Sequence, residues 1–231
     1  MAFVPDRRPS RQPLLNAPPI ILWMIGALIL CHAVRVALPD GLPDLVLEQY
    51  GFVPARYSAA AEHPFSLGEL PELVIPFLTY MLIHADYTHV GINCLWLLVF
   101  GPVVARRLHL VRFLLFFAVC GIVAALVHLA VYWGSAVAVV GASGAISGLM
   151  GAGIRLLYGH LFERPDGLAP VFCRPIVTFS LVWAVVNIVS GVLRVGVTGE
   201  LSLVAWVAHL GGYFMGLFSI GMFDRARRLA V

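Results

Sequence analysis

The chain has 231 residues, 61% of them hydrophobic and 12% charged, with a formal net charge of +3 and a mean hydropathy of +0.93. A soluble domain is about 45–50% apolar and about 25% charged, so this chain has too little charge to cover a water-facing surface of its size. A soluble globular enzyme, a disordered chain and a fibre are excluded, and a membrane protein remains.

A helix that crosses the hydrocarbon core needs about 20 predominantly apolar residues. Residues 1–18 form a short N-terminal segment with Arg7, Arg8 and Arg11, and the first apolar stretch follows at 19–38. Those arginines imitate the charged region of a signal peptide. The apolar run is long, however, and no small-residue cleavage site follows it, so it is read as a retained span. Arg35, near its far end, is expected to snorkel to the interface. Residues 39–76 then change character: Asp40, Asp44, Glu48, Glu62, Glu69 and Glu72 alternate with Pro, Gly and aromatic residues, which predicts an interfacial outer loop. The second span is expected over about 86–105, with Asp86 as its cap.

Residues 113–154 contain no Asp, Glu, Lys or Arg, and a run of that length suits two crossings joined by a turn near 132–141. Spans at about 175–193 and 202–222 bring the expected total to six, and 223–231 form a tail. The fold class is an all-α polytopic membrane protein, a bundle of six transmembrane helices. Every basic residue is Arg, and with six spans their distribution sets the orientation. Arg7, Arg8, Arg11, Arg106, Arg107, Arg112, Arg155, Arg164, Arg174, Arg225, Arg227 and Arg228 fall on the side of the termini, against Arg35, Arg56 and Arg194 on the other. The positive-inside rule puts both termini in the cytoplasm.

Polar groups inside a span are costly and therefore informative. The stretch HADYTHVGIN opens the second span, with His89 and Asn93 four apart on one helix face and His84 at or just before the helix start. GASGAISGLMGAG opens the fourth, with Ser143 among Gly141, Gly144, Gly148 and Gly151. Those glycines permit unusual backbone angles and a close neighbouring helix, and a helix N-terminus favours a developing negative charge. WVAHLGGYFMG lies in the last span, where His209 precedes the small face of Gly212 and Gly216. Ser143 and His209 both fall in the outer half of spans that run the same way, and a serine beside a neutral imidazole is a minimal activated nucleophile.

Simpler readings compete. Small-residue faces occur in many packed membrane helices, and a lone intramembrane histidine is commonly structural. His32, His63, His109, His128 and His160 lack a patterned partner, and Asn187 in the fifth span reads as a structural hydrogen bonder. Cys31, Cys94, Cys120 and Cys173 have no metal-ligand spacing and read as buried small hydrophobes. No H-E-x-x-H accompanies His84 and His89, so no metal site is assigned. There is no phosphate loop, cofactor fingerprint or nucleic-acid motif. A proton path through His84, His89 and His209 would suit a transporter, but no inverted repeat is visible.

Taken together, H-x-x-x-x-H-x-x-x-N at His84, His89 and Asn93, G-x-S-G at 141–144, and A-H-x-x-G-x-x-x-G at 208–216 resemble the rhomboid family of intramembrane serine proteases. The resemblance spans roughly residues 20–222 and implies a six-span rhomboid-like membrane domain over 19–222. It also implies a Ser–His dyad without an acidic third member, Ser143 as nucleophile and His209 as general base, with an acyl-enzyme intermediate. The Ser143 backbone N–H and the side chains of His89 and Asn93 would form the oxyanion hole, with His84, Gly141, Gly144, Gly212 and Gly216 in support. No cofactor is implied. The implied partners are membrane lipids and transmembrane-protein substrates, in a bacterial inner membrane. An inactive relative that binds client helices without cutting them is the alternative. Two departures stand out: Ile75 and Pro76 where some members carry Trp-Arg, and Ser147 where others stack an aromatic ring on the catalytic histidine. The loop is then expected to pack differently, and His209 to be positioned by hydrogen bonding.

Overall fold

The protein is described from a computed structural model that covers residues 17–63, 66–162, 164, 166–193 and 206–224. Arg7, Arg8, Arg11, Arg194, Arg225, Arg227, Arg228, Glu200 and the first residues of the expected last span lie outside the described residues. Helix α1 (Pro19–Val36) starts on a proline, whose missing N–H is no loss at the first helical position. The segment after α1 breaks into short helices α2 (Leu42–Tyr50), α3 (Pro54–Ala61), α4 (Leu70–Val74) and α5 (Pro76–Thr79). Each has a proline in its first turn, because proline can start a helix but not sit inside one.

Helix α6 (Tyr87–Val131) is 45 residues long, and Asp86 caps it as expected, accepting from the His89 N–H at 2.8 Å. The chain was expected to leave the helix between the second and third spans. Residues 106–112 are instead helical apart from one break at His109, where φ is 59° and ψ is 175°. A single residue thus redirects the chain. The turn before α7 (Ser143–Leu157) falls where the sequence placed it. Helices α8 (Arg174–Val192) and α9 (Trp206–Phe223) complete the described set.

Among the described residues, α1, α6, α8 and α9 are long and apolar enough to cross a membrane. Helix α7 is shorter and is buried without interruption from Gly144 to Ile154, as a helix surrounded by others must be. Its small residues make this possible. Added Cβ atoms would meet the Ala124 side chain at Gly144 and the Cys120 side chain at Gly148, both on α6. On α9, a Cβ at Gly212 or Gly216 would lie 1.9 Å from the carbonyl oxygens of Gly144 and Gly148. The expected close packing on the Gly212–Gly216 face is thus formed, and helix backbones meet where lipid offers no hydrophobic drive.

At the end away from Ser143, Arg107 donates from Nε to Asp224 (2.7 Å) and from a terminal nitrogen to the Asp166 carbonyl (2.6 Å). Arg155 donates to the carbonyls of Ala169 (3.0 Å) and Leu217 (2.9 Å). Two sequence readings need correction. Arg35 does not simply snorkel: its guanidinium donates to the carbonyls of His84 (2.8 Å) and Ala85 (3.2 Å), tying α1 to the chain before α6. Cys31 is exposed on α1 and Cys94 and Cys173 are half-buried, which leaves Cys120 as the buried one. An apolar thiol facing lipid incurs no desolvation cost.

Candidate active site

The serine is set by the turn before it. Phe52 and Val139 exchange backbone hydrogen bonds (3.0 and 2.8 Å), and Ala55 N–H reaches the Ser135 carbonyl (2.8 Å), so the segment between α1 and α6 anchors residues 135–139. Gly141 then adopts φ +106°, a conformation that favours glycine, and its N–H donates to the Tyr80 carbonyl (2.9 Å). Tyr80 is fully buried and donates from its hydroxyl to the Gly121 carbonyl of α6 (2.8 Å). The chain enters α7 through Ala142, and Ser143 is the first helical residue. No side chain caps this helix, so the Ser143 hydroxyl is not spent on the free N–H groups of its own first turn.

That hydroxyl lies 2.8 Å from Nε2 of His209. The two residues are 66 positions apart, and the Gly144–Gly212 contact one residue beyond Ser143 holds their helices close enough to meet. Both are half-buried. The other ring nitrogen of His209, Nδ1, lies 2.9 Å from Oδ1 of Asn187 on α8. Asn187 was read as a structural hydrogen bonder, and its place on His209 was not foreseen. An amide within a mostly apolar span was the available signal.

His89 and Asn93 converge on the same point from α6. A Cβ on Gly141 would fall 2.6 Å from His89 Nε2 and 3.7 Å from Asn93 Nδ2. Nδ1 of His89 accepts a long contact from the Ala85 N–H (3.5 Å), which leaves the hydrogen on Nε2, facing the Gly141 turn. Asn93 donates to the His89 carbonyl one turn back (2.9 Å), which orients its amide. His84 is fully buried, its ring 5.1 Å from that of His89, and its Nε2 accepts from the Ala142 N–H at 3.5 Å. It therefore touches the backbone next to Ser143 rather than the hydroxyl.

The two departures have structural outcomes. Ile75 and Pro76 form the junction of α4 and α5, while the loop is held by Arg56, which donates to the carbonyls of Glu48 and Glu72, and by Tyr57, which donates to that of Leu73. Ser147 is buried in α7, and the aromatic stack between α8 and α9 is made by Trp183 and Tyr213, centroids 4.3 Å apart. Elsewhere, His32 packs edge-on to Tyr87 and His128 lies against Tyr132. Among the described residues, no group of three or more His, Cys, Asp or Glu side chains is placed to hold a metal ion.

No curated protein matches the chain. The family model described as Rhomboid domain matches residues 71–225, more than half the chain, and this stretch carries Ser143, His209, His84, His89, Asn93 and Asn187. The sequence motifs, the helical membrane architecture and this match agree: the chain belongs to the rhomboid family.

Proposed function

We propose that the protein is an intramembrane serine protease that cuts other membrane proteins in or near their transmembrane segments. The observation that carries this reading is the 2.8 Å contact between Ser143 Oγ and His209 Nε2 at an uncapped helix start. Nε2 of His209 takes the hydroxyl proton as Oγ attacks the peptide carbonyl, and the carbonyl electron pair moves onto oxygen. The oxyanion is met by the Ser143 N–H, His89 Nε2–H and the Asn93 amide. On collapse, His209 passes its proton to the leaving amine, and an ester on Ser143 remains. Water activated by the same imidazole then hydrolyses it. Such donors are each worth about 10²–10³ in rate when aimed at developing charge.

The membrane arrangement belongs to the same proposal. Helix α1, the two halves of α6 on either side of His109, α7, α8 and α9 make six crossings. The domain covers 19–222, the outer loop about 39–76, and residues 1–18 and 223–231 are cytoplasmic, in a bacterial inner membrane. At 1.5 Å per residue α7 is about 22 Å long, shorter than the roughly 30 Å hydrocarbon core. A helix that short leaves at least one end inside the core, and on this proposal Ser143 stands at that end, within reach of a transmembrane segment.

The test is cleavage of a model transmembrane substrate by the purified protein in detergent. Ser143→Ala and His209→Ala should each abolish it, and a fluorophosphonate probe should label Ser143 only when His209 is present. Full cleavage by Ser143→Ala rejects the reading. Substrate binding without cleavage or labelling in the wild type would instead identify a non-cleaving binder of client helices.

A further inference from the structure

His209 has two ring nitrogens, and its neighbours allow one proton arrangement. Asn187 donates from Nδ2 to the Trp183 carbonyl, one turn back on α8, at 2.9 Å. That bond uses the amide nitrogen and leaves Oδ1 facing His209 Nδ1 at 2.9 Å. An amide oxygen only accepts, so Nδ1 must carry the ring hydrogen and Nε2 presents a lone pair to the Ser143 hydroxyl. The opposite tautomer would set two lone pairs against each other at Asn187. It would also leave no acceptor for the serine proton.

We propose that Asn187 is a positioning residue, which holds His209 in the Nδ1–H tautomer and ring orientation that accept the Ser143 proton. The inference rests on the protease reading above and deepens it. The working set becomes Ser–His–Asn, contributed by α7, α9 and α8. When the proton leaves Oγ for Nε2, the imidazolium charge spreads to Nδ1–H, where the amide oxygen meets it. Asn187 itself neither gains nor loses a proton. The other ionisable side chains near enough to act on His209 electrostatically are His89 and His128, both from α6. Among the described residues no carboxylate faces it, so the amide takes the place an acid holds in a triad.

Helix α8 makes the inference separable from packing. Only Ile176 and Gly191 are buried on it, and a second side-chain hydrogen bond, Ser180 Oγ to Tyr213 Oη at 2.8 Å, joins it to α9 away from His209. Ser180→Ala removes a link of the same kind without touching the imidazole.

Cleavage kinetics and the rate of fluorophosphonate labelling at Ser143 are measured across pH for wild type, Asn187→Leu, Asn187→Asp, Ser180→Ala and Ser143→Ala. Asn187→Leu should lower kcat and the labelling rate about 10–10²-fold with KM little changed, the range found when the hydrogen-bond partner that orients a metal-bound histidine is removed. Ser180→Ala should leave both near wild type. Asn187→Asp should recover labelling relative to Asn187→Leu and move the acid limb of the profile to higher pH, because a carboxylate favours the imidazolium. Wild-type rates and profile in Asn187→Leu, or an equal loss in Ser180→Ala, overturn the inference while a dead Ser143→Ala leaves the protease reading standing. If Asn187→Leu does not fold, an unmoved acid limb in Asn187→Asp overturns the inference and a raised one supports it. Cleavage by Ser143→Ala would instead sink the protease reading itself.

Discussion

A Cβ on Gly212 would lie 1.9 Å from the carbonyl oxygen of Gly144, the residue next to Ser143. The obstacle is backbone, which cannot rotate away as a flexible side chain can. Gly212→Ala must therefore push α9 off α7, and His209, one turn earlier on α9, moves with it. Overpacking in a well-filled interior costs about 1–3 kcal/mol, and a backbone clash belongs at the upper end. Thermal unfolding in detergent should show that loss, together with slower labelling of Ser143. Gly26→Ala is the control, since nothing lies within 4 Å of its added Cβ. At that position alanine should stabilise the helix by up to about 1 kcal/mol. A Gly212→Ala protein as stable and reactive as wild type would mean that the two helices are not in contact there.

Asn93 separates rate from binding. Its amide nitrogen approaches Gly141 and its orientation is fixed by the His89 carbonyl. On the proposed chemistry it meets charge that exists only after attack. Asn93→Ala should lower kcat about 10²–10³-fold with KM changed less than about threefold. A rise in KM with unchanged kcat would show that Asn93 binds the ground state instead.

How far the site was legible follows from what each residue does. His89, Asn93, Ser143 and His209 stand out because a polar group in a span requires a reason, and the glycines mark where backbones approach. The caps and turns were equally readable, since Asp86 before a helical run acts within four residues of itself. Asn187 was visible as a polar residue, but its partner lies 22 positions away on another helix, and no local pattern encodes such a pairing. Arg35 was missed for the same reason: its carbonyl partners lie 49 and 50 residues further along. The break at His109 was hidden because its neighbours, Arg106 to Arg112, are all good helix formers or neutral, and the sequence there suggests a loop only through its charge.

His109 sits in a region of backbone space that only glycine occupies without strain. Both halves of α6 are anchored on α7, the first where Phe100 meets Gly153 and the second where Ala124 and Cys120 meet Gly144 and Gly148, and they hold it there. His109→Gly should keep the turn and remove about 1–3 kcal/mol of strain. The midpoint of thermal unfolding should rise with cleavage unchanged, while His109→Val should lower it, since a β-branched residue resists that conformation further. A lower midpoint for His109→Gly would show that the imidazole contributes contacts worth more than the strain.

His84 makes stability depend on pH. Burial pushes its imidazole down to about 4, and neighbouring His89, His32 and Arg35 act in the same direction. The Ala142 N–H contact also requires an unprotonated Nε2. An unfolded chain's histidine takes up its proton near pH 6.5. Between about pH 6.5 and about 4 the unfolded state therefore binds more protons, and stability from this group falls as pH drops through that window and is intact above it. Glutamine can accept from Ala142 without titrating, so His84→Gln should lose less stability on acidification than wild type. The measurement is the difference in thermal midpoint between the two proteins from about pH 7.5 to about pH 4.5. The histidines remote from His84 are common to both and cancel in that difference. Parallel curves would show that His84 is charged in the folded protein, and Ala142 would then need another partner.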